Sequence, residues 1–75
     1  MNETDVINIE KRINLFSENK TYTFIKLVSG QILNGYISKV DNKIIQFKDD
    51  ILGGIPILIE EIEILNYSNK KGDAR

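Results

Sequence analysis

The chain contains neither cysteine nor histidine. Those absences exclude disulfides, thiolate or imidazole metal centres, and every Ser-His or Cys-His nucleophile arrangement. The carboxylates are scattered through charged segments rather than paired as an acid and a base. The expectation is a protein that binds rather than catalyses, with no cofactor and no metal. Apolar runs of the roughly 18 residues needed to cross a bilayer are also missing. The opening Met1-Asn2-Glu3-Thr4-Asp5 is acidic, unlike a signal peptide, so a cytoplasmic protein with no membrane contact is expected. Nor is there an excess of positive charge: 10 Lys and Arg against 11 Asp and Glu give a formal net charge of −1. The broad basic signature of a duplex binder is therefore absent, and any contact with nucleic acid must come from local geometry.

What is present is patterned for one small domain. A chain of 75 residues buries a small core and is marginal alone, which favours self-association. Val6, Ile9, Ile13 and Phe16 recur at three or four residues and mark one stripe of a helix over about residues 4–18. Its start is open between Thr4 or Asp5 and Asn8. From Thr21 the period changes to that of strands. Thr21 to Val28 is the first, closed by Ser29-Gly30. The second runs from Gln31 to about Val40, where Leu33 and Ile37 share a face and Val40 does not; that drift, with Gly35 in mid-strand, predicts a bulge or strong bend. Asp41-Asn42-Lys43 turns into Ile44–Lys48, and Asp49 to Gly54 turns again. Ile55, Ile57 and Ile59 alternate with Pro56, Leu58 and Glu60 in a fourth strand. Glu60-Glu61-Ile62 turns the chain into Glu63–Tyr67.

The fold class is thus mainly β: a short N-terminal helix, then a five-stranded, strongly bent antiparallel sheet or small barrel, SH3-like or Sm-like. The domain is expected over residues 1–67, with strands between about 21 and 67, and residues 68–75 as a polar, disordered tail. Leu58, Leu65 and Tyr67 fall on the face opposite Ile57, Ile62 and Ile64. Strands apolar on both faces need cover on both, so Leu58, Leu65 and Tyr67 are expected at a subunit interface; cover by the helix or by the chain's own bend is the alternative.

Gly30, Gly35 and Asp41 stand in the spacing of the first Sm motif. The segment from Thr21 to Gly30, followed by Leu33, Gly35 and Val40-Asp41-Asn42, resembles the Hfq branch of the Sm-like family, and the preceding helix fits it too. The resemblance covers about two thirds of the chain. It implies a ring of six or seven identical subunits, closed by the fourth strand of one against the fifth of the next. It also implies single-stranded RNA as partner, uridine-rich at the pore and adenine-rich on the opposite face. Asp41, Asn42 and Lys43 occupy the base-holding loop, where Asn42 can donate and accept and Asp41 braces. Lys26, Ser29, Gly30, Gln31 and Ile32 sit where the branch receives purine-rich RNA. Two plainer readings stand beside these: Asp41-Asn42 is good turn chemistry, and Lys26 suits a solvated strand.

The chain departs from that branch at defined places. Lys43 replaces a stacking aromatic, Lys26 replaces another, and Leu58-Ile59-Glu60-Glu61 stands where the branch has Tyr-Lys-His. Three functions follow from these features. The first is RNA binding by a homo-oligomeric ring of the RNA-chaperone type. The second is an oligomeric protein-interaction scaffold that has lost RNA, favoured by Glu60, Glu61 and Glu63. The third is a monomeric SH3-like accessory domain.

Overall fold

The computed structural model describes residues 3–68, with side chains from Ile9 onward. Helix α1 spans Glu3–Glu18 and runs through Asn8, so it begins at the early end of the expected range. Its stripe is core: Ile13 and Phe16 are buried and Ile9 packs partly against them, while Leu15, off the stripe, is half exposed. The helix ends on a paired C-cap, in which Thr21 N–H donates to Phe16 O at 3.0 Å and Lys20 N–H donates to Ser17 O at 3.3 Å. Such a cap needs a left-handed residue, and Lys20 supplies it with φ of 51°. A side chain there costs on the order of 1 kcal/mol that glycine does not. Lys20→Gly is expected to stabilise the fold by about 0.5–1 kcal/mol. A urea midpoint that stays level or drops, at fixed chain concentration, would contradict this account of the cap.

Five antiparallel strands follow: β1 (Thr23–Leu27), β2 (Ile32–Val40), β3 (Ile44–Asp49), β4 (Gly53–Leu58) and β5 (Ile62–Tyr67), in the order β4-β3-β2-β1-β5. The alternation expected to continue through Ile59 and Glu60 stops at Leu58, because Ile59–Glu61 forms a turn of 3-10 helix. That turn dictates the sheet's shape. In a flat sheet β4 and β5, at opposite edges, would lie about 19 Å apart at 4.8 Å per strand. Three 3-10 residues span only about 6 Å, so the sheet curls until the end of β4 and the start of β5 come close, while the two strands stay unpaired as its edges. Two hydrogen bonds pin the turn in place: Ile59 N–H donates to Lys43 O and Val28 N–H donates to Glu61 O, both at 2.9 Å.

The curl is built from bulges and one glycine. The β2–β3 register shifts between Ile37 and Lys39, which leaves Ser38 as the extra residue and explains the drift toward Val40. Gly35 meets β3 so closely that a Cβ would overlap the Lys48 carbonyl oxygen, with Lys48 C at 2.8 Å and Asp49 Cα at 3.0 Å. A second shift, between Lys26 and Leu27 on β1, makes Glu63 the extra residue of β5. This bulge corrects one expectation. Because Glu63 consumes an additional position, Ile62 and Leu65 face inward together, and Ile64 is left outside. Leu65 is 3% exposed in the chain's own core and is not available to a neighbouring subunit.

Ile25, Leu33, Ile37, Ile45, Phe47 and Ile57 complete that core inside the curl, with Ile13 and Phe16 closing it from the helix. Tyr67 lies against the Phe16 ring, centroids 4.9 Å apart, yet stays 63% exposed. Of the polar tail, only Ser68 is described; the expectation for residues 69–75 lies outside the described residues. No helix among the described residues is long and apolar enough to cross a membrane.

Candidate nucleic-acid interface

The turn between β2 and β3 is held by its own backbone and by Asp41. Asp41 N–H donates to Ile44 O at 2.9 Å, and the Asp41 carboxylate accepts the Asn42 N–H at 3.0 Å. The carboxylate therefore braces the loop, and it leaves Asn42 and Lys43 as the exposed, outward groups. The bond from Ile59 to Lys43 O brings the 3-10 turn beside them. Between the two lies a groove of about 660 Å³, walled by Val28, Leu58 and Ile59 and reached by Asn42, Lys43 and the start of α1 at Ile9. Leu58, 38% exposed, lines it rather than standing on a separate face.

The electrostatics of the groove are mixed. Among the described residues, Lys43 is its one cation, against Glu10, Glu60 and Glu63. An apolar wall beside a carboxamide suits the face and edge of a nucleobase; three carboxylates do not suit phosphate. Asn42 and Lys43 thus meet Leu58, Ile59 and Glu60, whereas Asp41 is outside the groove lining and acts through the loop.

The other expected contact residues form a separate site. Gly30 turns the chain from β1 to β2 with φ of 99°, donating its N–H to Leu27 O at 2.8 Å, and Leu27 N–H donates to Gln31 O at 2.9 Å. Ser29 Oγ accepts the Gln31 N–H at 3.4 Å. Ser29, Gly30 and Gln31 are exposed on this turn. Lys26 is on β1, its Nζ 4.0 Å from Glu63 Oε1 in a pair open to solvent on both sides, a weak attraction. Ile32, directly across from Lys26 on β2, is 55% exposed.

The sequence reading missed Asp49, which sets the turn from β3 to β4. Its carboxylate accepts three backbone N–H groups: Asn34 on Oδ1 at 3.0 Å, and Ile51 and Leu52 on Oδ2 at 2.8 Å each. Burial pushes its pKa up, but the bonds from Leu52, Ile51 and Asn34 outweigh that and hold the carboxyl below its ordinary range. Next to it, the Tyr22 hydroxyl donates to Asp50, and Tyr22 is pushed up to about 12, first by that bond and then by burial and the nearby Asp50 charge. An aspartate followed by three residues and then a glycine, Gly53, is the one sequence signal that marks such a turn, and Gly53 stands at φ of 80°.

Among solved structures, the chain is similar to the 1.55 Å crystal structure of the pleiotropic translational regulator Hfq, with a TM-score of 0.67 and 18% identity, over 76% of this chain and 93% of that one. It is similar also to an Hfq protein from Anabaena sp., with a TM-score of 0.65 and 19% identity over 77% and 92%. No protein-family profile and no curated protein matches the sequence. The helix, the five-stranded curled sheet and these two likenesses together establish an Sm-like fold, close to that of Hfq.

Proposed function

We propose that this chain assembles through its free sheet edges into a homo-oligomeric ring, of six or seven subunits, that binds single-stranded RNA in the cytoplasm without catalysis. The observation that carries the reading is the groove in which a braced loop presents Asn42 and Lys43 beside an apolar wall, on an Sm-like fold. A base packs its face on Val28 and Ile59 and offers its edge to Asn42, while Lys43 meets the backbone. Repetition around a ring multiplies contacts that are weak singly. Assembly is supported by β4 and β5 forming the two sheet edges, and by Tyr67, Ile64 and Leu58 remaining 63%, 41% and 38% exposed beside them. Leu58 and Tyr67 are the interface residues in this reading.

A second reading has its own support. Glu10, Glu60 and Glu63 around the groove suit a basic protein partner, which is the scaffold alternative. Titration of labelled oligo-uridine and oligo-adenine RNAs, at low and physiological salt, against protein of mass fixed by light scattering separates the two. The expected result is a ring that binds at least one RNA, more weakly as salt rises, with Asn42→Ala lowering affinity several-fold across the repeated sites. A ring that binds neither RNA selects the scaffold, and a monomer removes both readings.

A further inference from the structure

Asn34-Gly35 is the one Asn-Gly pair in the sequence. In a flexible chain such a pair is chemically labile, because glycine has no side chain to shield its nitrogen or to restrict the backbone that carries it to the asparagine side chain. The reaction needs no enzyme. The Gly35 nitrogen, losing its proton to solvent, attacks Asn34 Cγ; a C–N bond closes a five-membered imide, the Cγ–Nδ2 bond breaks, and ammonia leaves with a proton from solvent. Water then opens the imide at either carbonyl. One opening leaves aspartate at position 34, and the other leaves isoaspartate, in which the main chain runs on through the side-chain carboxyl.

The sheet withholds each requirement of that attack. Asn34 turns its main-chain groups toward β3, where its N–H donates to Asp49 Oδ1 at 3.0 Å and its C=O accepts the Asp50 N–H at 2.9 Å. Successive residues of a strand direct these groups to opposite sides, so the Gly35 N–H is directed to β1, where Thr23 is its partner. The nucleophile is engaged in the ladder. The electrophile is held as well, since Asn34 Oδ1 accepts the Ser68 hydroxyl at 2.8 Å. Nor can the backbone between them swing, because β2 has a strand on each side and β3 leaves no room for even a Cβ at Gly35.

We propose that Asn34-Gly35 is a modification site silenced by the folded sheet: it deamidates only in chains whose β2 has come away from its neighbours, and the isoaspartate product cannot fold again. The second half follows from the same contacts. Isoaspartate lengthens the main chain by one carbon, about 1.5 Å, between Asn34, bonded to Asp49 and Asp50, and Gly35, paired with Thr23 and Asp49. Position 34 can keep its bonds to β3, or Gly35 can keep its place against Lys48, but not both. A long stay in the unfolded state is thereby converted into permanent loss of that chain. None of this depends on what the folded protein binds.

The test follows the full chain by peptide mass spectrometry during incubation at one pH and temperature, in buffer and in guanidinium chloride above the unfolding midpoint. A synthetic peptide of residues 33–36, incubated in both, corrects for the solvent. Deamidation at position 34 is expected to run at least about a hundredfold more slowly in buffer, because it tracks the small open fraction. Equal rates in the two solvents overturn the silencing. Chains from the denatured incubation are then returned to buffer, where those carrying isoaspartate are expected to stay unfolded by circular dichroism while unmodified chains refold. A parent-like melt of the isoaspartate chains overturns the loss of folding. Asn34→Gln keeps an amide but would have to close a six-membered ring, and it is expected to refold fully after the same incubation. Loss of refolding equal to the parent's places the damage elsewhere and overturns the site.

Discussion

Gly35→Ala is expected to leave the chain unfolded or nearly so at 25 °C. The added Cβ would collide with the Lys48 carbonyl oxygen and press on Lys48 C and Asp49 Cα, all main chain, so no side-chain rotation relieves it. The strands must part instead, and Gly35 is paired both to Asp49 on β3 and to Thr23 on β1. Overpacking against an immovable neighbour costs more than about 3 kcal/mol. A domain of this size holds only about 4–11 kcal/mol in total. Gly54→Ala is the control, because nothing lies within 4 Å of a Cβ there. Circular dichroism of the two variants decides the matter: a cooperative, parent-like melt for Gly35→Ala would mean that β2 and β3 do not approach as described.

The second large effect belongs to Asp49. Asp49→Ala leaves the N–H groups of Asn34, Ile51 and Leu52 without their acceptor. Bonds to a charged acceptor are worth about 1.5–3 kcal/mol each, and solvent reaches the exposed Ile51 and Leu52, so a loss of about 2–4 kcal/mol is expected. Asp49→Asn keeps one acceptor oxygen and should lose roughly half of that. Acid acts on the same group. The folded carboxyl titrates below its unfolded value, near 3.9. Its stabilisation is therefore full above that pH and is lost as the pH falls toward the folded value. Urea midpoints between pH 6 and pH 2.5, at one chain concentration, should decline less steeply for Asp49→Asn than for the parent. Parallel curves would separate the acid sensitivity from Asp49.

These two residues also show where the sequence is readable and where it is not. Gly35 stands out because a glycine in mid-strand leaves a gap where the neighbouring residues carry side chains, and the expected bend follows. The helix, the five strands and the Asp41-Asn42-Lys43 loop are legible for the same reason: period and turn chemistry are written in residue types. Asp49 is opaque because its partners are backbone N–H groups, which every residue possesses. Leu65 is misplaced by simple alternation because Glu63 makes a bulge, and a bulge inverts every side chain beyond it without changing a single residue type. The groove likewise depends on a contact, Ile59 to Lys43, between segments that alternation treats separately.

The pairing of Thr23 with Tyr67 places the first strand beside the last. During synthesis, β1 to β4 can zip in order through neighbouring hairpins, each closing a short loop. One edge of β1 nevertheless waits, with its N–H and C=O groups open, until the final strand has left the ribosome. Non-local closure of this kind slows folding and exposes a sticky edge to other nascent chains. A stop codon that removes β5 would therefore release four strands of correct sequence and a template for aggregation, rather than a smaller version of the fold.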